Sequence, residues 1–206
     1  MSARLWLPEP EPGTQVALGF DGSDVDDWTA LRAETRDGHQ FTPRYGPEGR
    51  PTIWKPAEWP GDRVPREQVH LAVAHVFDRF KVARFYYDPP RWGTDGEQWA
   101  LKHGDDVVAE WATYRPRPMH EALDRFMVDL HASRITQDGC PLTWLSMENA
   151  VRVASKTADR YGIGKPSQSQ KIDPTMASVL AHEAASDARA AGWPDDDIDT
   201  RVFCFT

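Results

Sequence analysis

The chain has 206 residues, 40% of them hydrophobic, and a formal net charge of −8. That suits one domain with a partly aromatic core, since nine residues are Trp. No apolar run approaches the length of a membrane span, and the N-terminal MSARLWLPEPEPG has no basic segment leading into an apolar one, so neither a membrane helix nor secretion is expected.

Residues 1–14, rich in Pro and Glu, read as a linker or arm, and 15–206 as the domain. Val16–Asp21 reads as a buried strand, followed by a turn through Gly22 and Ser23. Trp28 to Thr35 fits a second strand ending at the hairpin signal Asp37-Gly38. A third strand is expected within 40–44 or 51–55, and the prolines of WKPAEWPGDRVP make that stretch a loop. Val69, Ala72, Val73, Val76, Phe77 and Phe80 recur at helical spacing after Val64. Val82–Tyr87 is a further apolar strand, and a helix over 94–103 leads to another strand at 107–113. A helix follows at 119–133, with Met119, Ala122, Leu123, Phe126, Met127 and Leu130 on its apolar face. Leu142–Leu145 fits a short strand, 146–158 and 174–191 fit helices, and 202–205 fits a last strand. Hairpin-joined strands followed by alternating helices and strands imply a mixed α/β sheet, three antiparallel strands and then parallel ones, flanked by helices. That is the ribonuclease H-like layout.

Charge is unevenly spread. Arg152, Lys156, Arg160, Lys165 and Lys171 face Asp159 alone within 152–171, whereas acids gather at 21–27 and 195–199. A polyanionic partner is therefore compatible with the net charge only through local, salt-sensitive contacts. Cys140 and Cys204 lack metal-ligand spacing and read as free thiols of a reducing cytosol. The seven His are scattered; five of them, including His70 and His182, fall in expected helices and read as surface or helix-face residues.

Two apolar strands stop at a carboxylate, Asp21 and Asp88, and Asp173 stands before Pro174 at the start of a helix. Strand carboxyl ends are where α/β folds place their sites. Each acid also has a local reading: Asp21 as a turn opener, Asp88 as a strand terminator, Asp173 as an N-cap. Clustered, they would repel unless a cation lay among them, and oxygen ligands suit Mg²⁺ or Mn²⁺. Two such ions about 3.5–4 Å apart are suited to phosphodiester hydrolysis. Asp24 and Asp26 read as solvated turn residues.

Five stretches, GFDGSDVDDWTAL (19–31), IWKPAEW with VP (53–65), FYYDPPRW (85–92), DGCPLTWLSMENA (138–150) and KIDPTMASVLAHEAASDA (171–188), resemble in order the C-terminal nuclease domain of phage terminase large subunits. The resemblance implies a ribonuclease H-like, metal-dependent DNA endonuclease with Asp21, Asp88 and Asp173 as catalytic and metal-binding acids. Asp27 matches a recurrent position and reads as supporting or structural; Lys171 and Asn149 would contact phosphate or brace the site. Double-stranded DNA is the implied substrate. A terminase ATPase domain, the small subunit and the portal are the implied partners, and the cytoplasm of an infected or lysogenic host the implied location. The segment 152–171, with Arg91 and Trp92, is expected to meet the DNA backbone. Around RYGIGKPS (160–167), Asp159 just before it and Pro166 within it stand where a phosphate loop needs Gly and Ser/Thr, so no ATPase is expected in this chain. Other readings are a resolvase- or transposase-like nuclease of the same layout, and a non-catalytic packaging-assembly module.

Overall fold

The computed structural model describes residues 5–154 and 160–193. Its strands and helices, in chain order, are β1 (Gln15–Asp21), β2 (Thr29–Thr35), β3 (His39–Phe41), β4 (Arg44–Tyr45), β5 (Arg50–Pro51), β6 (Ile53–Trp54), α1 (Arg66–Arg79), β7 (Lys81–Tyr87), α2 (Gly93–His103), β8 (Val108–Glu110), α3 (Pro116–His131), β9 (Thr136–Gln137), α4 (Pro141–Asn149), β10 (Val151–Ala154), β11 (Tyr161–Gly164) and α5 (Asp173–Ala190). Two short 3-10 turns, Pro56–Glu58 and Pro60–Asp62, occupy the proline-rich loop.

The main sheet runs β8-β7-β1-β2-β3-β9, with β6 also pairing β2. β1 and β2 are antiparallel, as are β2 and β3, which turn at Gly38 with φ +91°. β7 lies parallel to β1 and β8 parallel to β7. The mixed sheet expected from element order is therefore present. Both candidate third strands exist: β6 pairs the start of β2 and β3 its end.

Strand periodicity divides the core. Val16, Leu18 and Phe20 enter a large cluster with Val69, Val73 and Val76 of α1 and Trp99 of α2. Each such fully buried side chain contributes about 1.5–3 kcal/mol. The alternate residues, Ala17 and Gly19, are small and face α5, where Leu180, Ala184 and Ala185 pack with Ala17. A Cβ on Gly19 would fall 2.2 Å from the Ala177 carbonyl oxygen and from the Ala181 backbone nitrogen. Glycine is thus what lets α5 lie directly on β1.

Two expectations fail here. Residues 142–145 belong to α4, not a strand: Pro141 occupies the first turn, where its missing N–H costs nothing. The helix expected over 146–158 ends at Asn149. Val151–Ala154 instead pairs antiparallel with Tyr161–Gly164, a hairpin apart from the main sheet in which alternating Val151 and Val153 favour extended backbone. The small strand β9 joins the main sheet by pairing parallel with β3. The expected strand at 202–205, Cys204 and the acids of 195–199 lie outside the described residues, as do Lys156 and Asp159.

Residues 5–14 form an extended arm on the domain surface. The Trp6 indole N–H donates to Asp138 Oδ2 at 3.0 Å, the Leu7 N–H to the Asp138 carbonyl at 2.8 Å, and Glu9 accepts from the Arg44 N–H at 2.7 Å.

Candidate active site

Asp21 ends β1 and has the same parity as Ala17 and Gly19, so its side chain leaves the sheet on the α5 side. Asp88 follows β7 with the parity of Tyr86, which packs in the cluster with α5. The Asp88 N–H donates to the Phe20 carbonyl at 3.0 Å, carrying the β1–β7 ladder to the point where both acids emerge. Asp173 is the first residue of α5, the helix that Gly19 admits onto β1. It is not the N-cap: Ile172 occupies that position and no side-chain capping bond is made. The Asp173 carboxylate is thereby left facing the cavity, and its Oδ2 is buried with no hydrogen-bond partner.

A cavity of 420 Å³ opens between these elements, lined by Asp21, Asp173, Asp27, Arg91, Thr113 and Lys165 among others. Burial, reinforced by Asp173, Asp88 and Asp27, pushes the Asp21 carboxyl well above the usual range. Burial also raises Asp173, to about 6, against backbone N–H groups of Asp173 and Trp28, with Asp27 adding to the effect and Lys165 opposing it. Asp88 is raised by burial against two opposing hydrogen bonds, from the Thr113 N–H to Oδ1 at 3.0 Å and from Thr113 Oγ1 to Oδ2 at 2.9 Å. Thr113 fixes that carboxylate's orientation. It was hidden in sequence as the last residue of an expected strand.

Among the described residues no group of three His, Cys, Asp or Glu side chains forms a ready-made metal cage. The sequence-predicted acids share one field and one face of the fold, not a closed coordination shell. That suits Mg²⁺ or Mn²⁺ all the same. Such ions keep several waters and commonly take one or two carboxylates together with substrate phosphate. The orphaned Asp173 Oδ2, the carboxylate-only donor set and the mutual repulsion all fit a hard divalent cation.

The other acids of the first turn have distinct partners. Asp24 is not a free turn residue; it accepts from Arg66 Nη2 at 2.7 Å. Asp26 is exposed. Burial acts to raise Asp27, but hydrogen bonds from Lys165 and Lys171 hold it below the usual carboxylate value. Both lysines donate to the same oxygen, Oδ1. Two cations of the basic segment are therefore spent on Asp27, whereas Arg152 stacks 3.8 Å over the Tyr161 ring. The Asn149 side chain donates to the Lys171 carbonyl at 3.1 Å, bracing the approach to α5. Trp92 cannot meet DNA as expected, because it is fully buried against Phe20 with Arg66 on its ring. Arg91, with φ +65°, is exposed at the cavity rim. His182 is also buried, not on a surface, and pairs with Glu34 at 2.9 Å.

The same architecture occurs in solved proteins. The crystal structure of the large terminase nuclease from thermophilic phage G20c superposes with a TM-score of 0.61 at 11% identity, covering 87% of this chain and 92% of that one. The HK97 bacteriophage large terminase gives 0.61 at 16% identity, over 89% of this chain and 41% of its own. The fold is that of a phage terminase nuclease. The G20c terminase nuclease has also been solved with bound magnesium. In sequence, the chain is 30% identical over 187 residues to the Gene 13 protein of Mycobacterium phage D29, and 29% identical to that of Mycobacterium phage L5. Each match covers 85% of this chain but 30% of the relative, so the chain spans under a third of those proteins. No family model matches.

Proposed function

We propose that residues 15–206 are the nuclease domain of a phage DNA-packaging terminase and cut double-stranded DNA by metal-dependent phosphodiester hydrolysis. The observation that carries this reading is the meeting of Asp21, Asp88 and Asp173 on the α5 side of the sheet, each with its carboxyl pushed upward and none neutralised by a direct ion pair among the described contacts. The terminase nuclease fold and the magnesium bound by the G20c protein support it.

Asp21 and Asp173 would hold Mg²⁺ or Mn²⁺, with Asp88 as a further oxygen donor. When bound, such an ion supplies Lewis-acid chemistry, offsetting phosphate charge and lowering the pKa of water. The chain's own residues set the geometry. Thr113 holds Asp88, the β1–β7 ladder fixes the spacing of Asp21 and Asp88, and Pro174 and Thr175 begin the helix that presents Asp173. Arg91 at the rim and Arg152 and Arg160 by the hairpin are the DNA-backbone contacts, which carry affinity without sequence information. By the same reading the partners are a terminase ATPase domain, the small subunit and the portal, in the host cytoplasm. No helix of the described residues is long and apolar enough to cross a membrane.

The test is cleavage of supercoiled plasmid with Mn²⁺ or Mg²⁺. Asp21→Ala and Asp88→Ala should each cut at least about a hundredfold more slowly than wild type. Undiminished cutting by both variants rejects the reading.

A further inference from the structure

The cavity with the acids already contains positive charge, and it is held in an unusual way. Lys165, directly after β11, and Lys171, just before α5, both donate to Asp27 Oδ1, the latter at 2.8 Å. One carboxylate oxygen thus receives two ammonium groups, leaving a surplus of one positive charge beside Asp21 and Asp173. The lysines are not equivalent. Lys171 has a second anchor, the Asp26 carbonyl at 2.6 Å. For Lys165, Asp27 is the single hydrogen-bond partner among the described residues, and its side chain lines the cavity at 20% exposure.

We infer that Lys165 is the counter-cation of the metal-free site, and that a divalent cation binds by displacing it. The inference rests on the proposed metal-dependent reading and adds a positioning residue to it. Lysine suits the role: its ammonium is a compact charge on a flexible four-carbon stem and is readily rehydrated on leaving. Repulsion between two ammoniums on one oxygen favours departure of the less anchored. Lys171 then remains to keep Asp27 paired and the entry to α5 in place. A divalent ion brings two charges into the field that Lys165 meets with one, so the two compete for the same acids. Lys165 thereby sets a threshold: it offsets part of the acids' charge until divalent cation is abundant enough to replace it.

The experiment compares wild type, Lys165→Met and Lys165→Arg by calorimetric titration with Mn²⁺ and by melting with and without Mn²⁺, no DNA being present. Lys165→Met should bind Mn²⁺ about tenfold more tightly, melt earlier without metal, and gain more from it than wild type. Lys165→Arg, which keeps the charge, should stay near wild type. Equal or weaker Mn²⁺ binding by Lys165→Met overturns the inference. So does a loss of stability that is the same with and without metal, which would mark Lys165 as a structural tie only. Weaker duplex DNA binding with unchanged Mn²⁺ affinity would assign it to phosphate contact and also overturn the inference. If wild type and both variants alike bind no Mn²⁺, the metal-dependent reading itself falls.

Discussion

Helix α5 serves two regions that treat buried charge in opposite ways. Along its length, Ser178, His182 and Arg189 meet a polar network beneath β2. Arg189 bonds Glu34 Oε1 at 2.6 Å, His182 bonds Oε2 at 2.9 Å, and Gln40 donates to Glu34 Oε2 and to the Ser178 carbonyl, each at 2.9 Å. Arg32, fully buried, reaches Ser178 Oγ at 3.1 Å, Gln137 at 2.7 Å and Asp138 at 3.4 Å. At its first residue, the same helix presents Asp173 to Asp21 and Asp88. Asp138 and Asp173 are both buried carboxylates. Burial acts to raise Asp138, but Arg32 and the N–H groups of Thr42 and Cys140 bring it below the usual value; Asp173 is raised to about 6. Buried charge matched within the chain is a structural element, whereas buried charge left unmatched marks a place for something that comes from outside.

That contrast can be broken at either end. The largest effect is expected from Arg32→Leu, which strands Asp138 without its cation; thermal or urea denaturation should register a loss of about 3–5 kcal/mol. A loss below about 1 kcal/mol would remove the network from the structural side of the comparison.

Asp173→Asn should move stability the other way. With a folded pKa of about 6 against an ordinary 3.8, the folded metal-free chain holds this proton more tightly than the unfolded chain. Its contribution is therefore favourable at low pH and is lost as pH rises from about 4 to about 6. The amide removes that loss, so the variant should be more stable at pH 7 by up to about 3 kcal/mol, and its melting temperature should change less across that window. An unchanged or lower melting temperature at pH 7 would mean that Asp173 is already matched.

Gly19→Ala should cost about 1–3 kcal/mol by forcing α5 off β1, and should weaken Mn²⁺ binding because Asp173 moves with the helix. Normal metal affinity in a destabilised variant would separate helix packing from the site. The smallest effect belongs to Trp6→Phe, which removes one donor to Asp138 and should cost about 1 kcal/mol in denaturant titration.

Sequence made some of this legible and physically could not convey the rest. β1 stands out because a strand buried on both faces is a continuous apolar run, and β7 through its buried half, Phe85, Tyr86 and Tyr87. The acids at their ends were visible for the same reason: a carboxylate stands out against such a run. Helix α5 was readable through Pro174 and its long alanine-rich sequence. Residues 142–145 were not, since a four-residue apolar run fits either backbone period and only its place after Pro141 decides for a helix. Trp92 looked accessible beside Arg91, yet its burial comes from Phe20 and Trp99, which sequence does not bring near it. The pairing of Asp27 with Lys165 and Lys171 spans 138 and 144 residues and leaves no local signature. The basic segment consequently read as free for DNA when part of it is engaged at the site.

Asp138 also fastens the N-terminal arm, through the Trp6 indole and the Leu7 N–H, with the residue that neutralises Arg32. Because its folded pKa lies below the ordinary value, the carboxylate that accepts from Trp6 stays charged into stronger acid than a free one, and the Leu7 bond, made to a backbone carbonyl, does not titrate. Asp173 titrates higher, toward about 6. The two carboxylates thus answer to separate acidity ranges, and the arm remains buckled to the domain throughout the range in which the site gains or loses its proton.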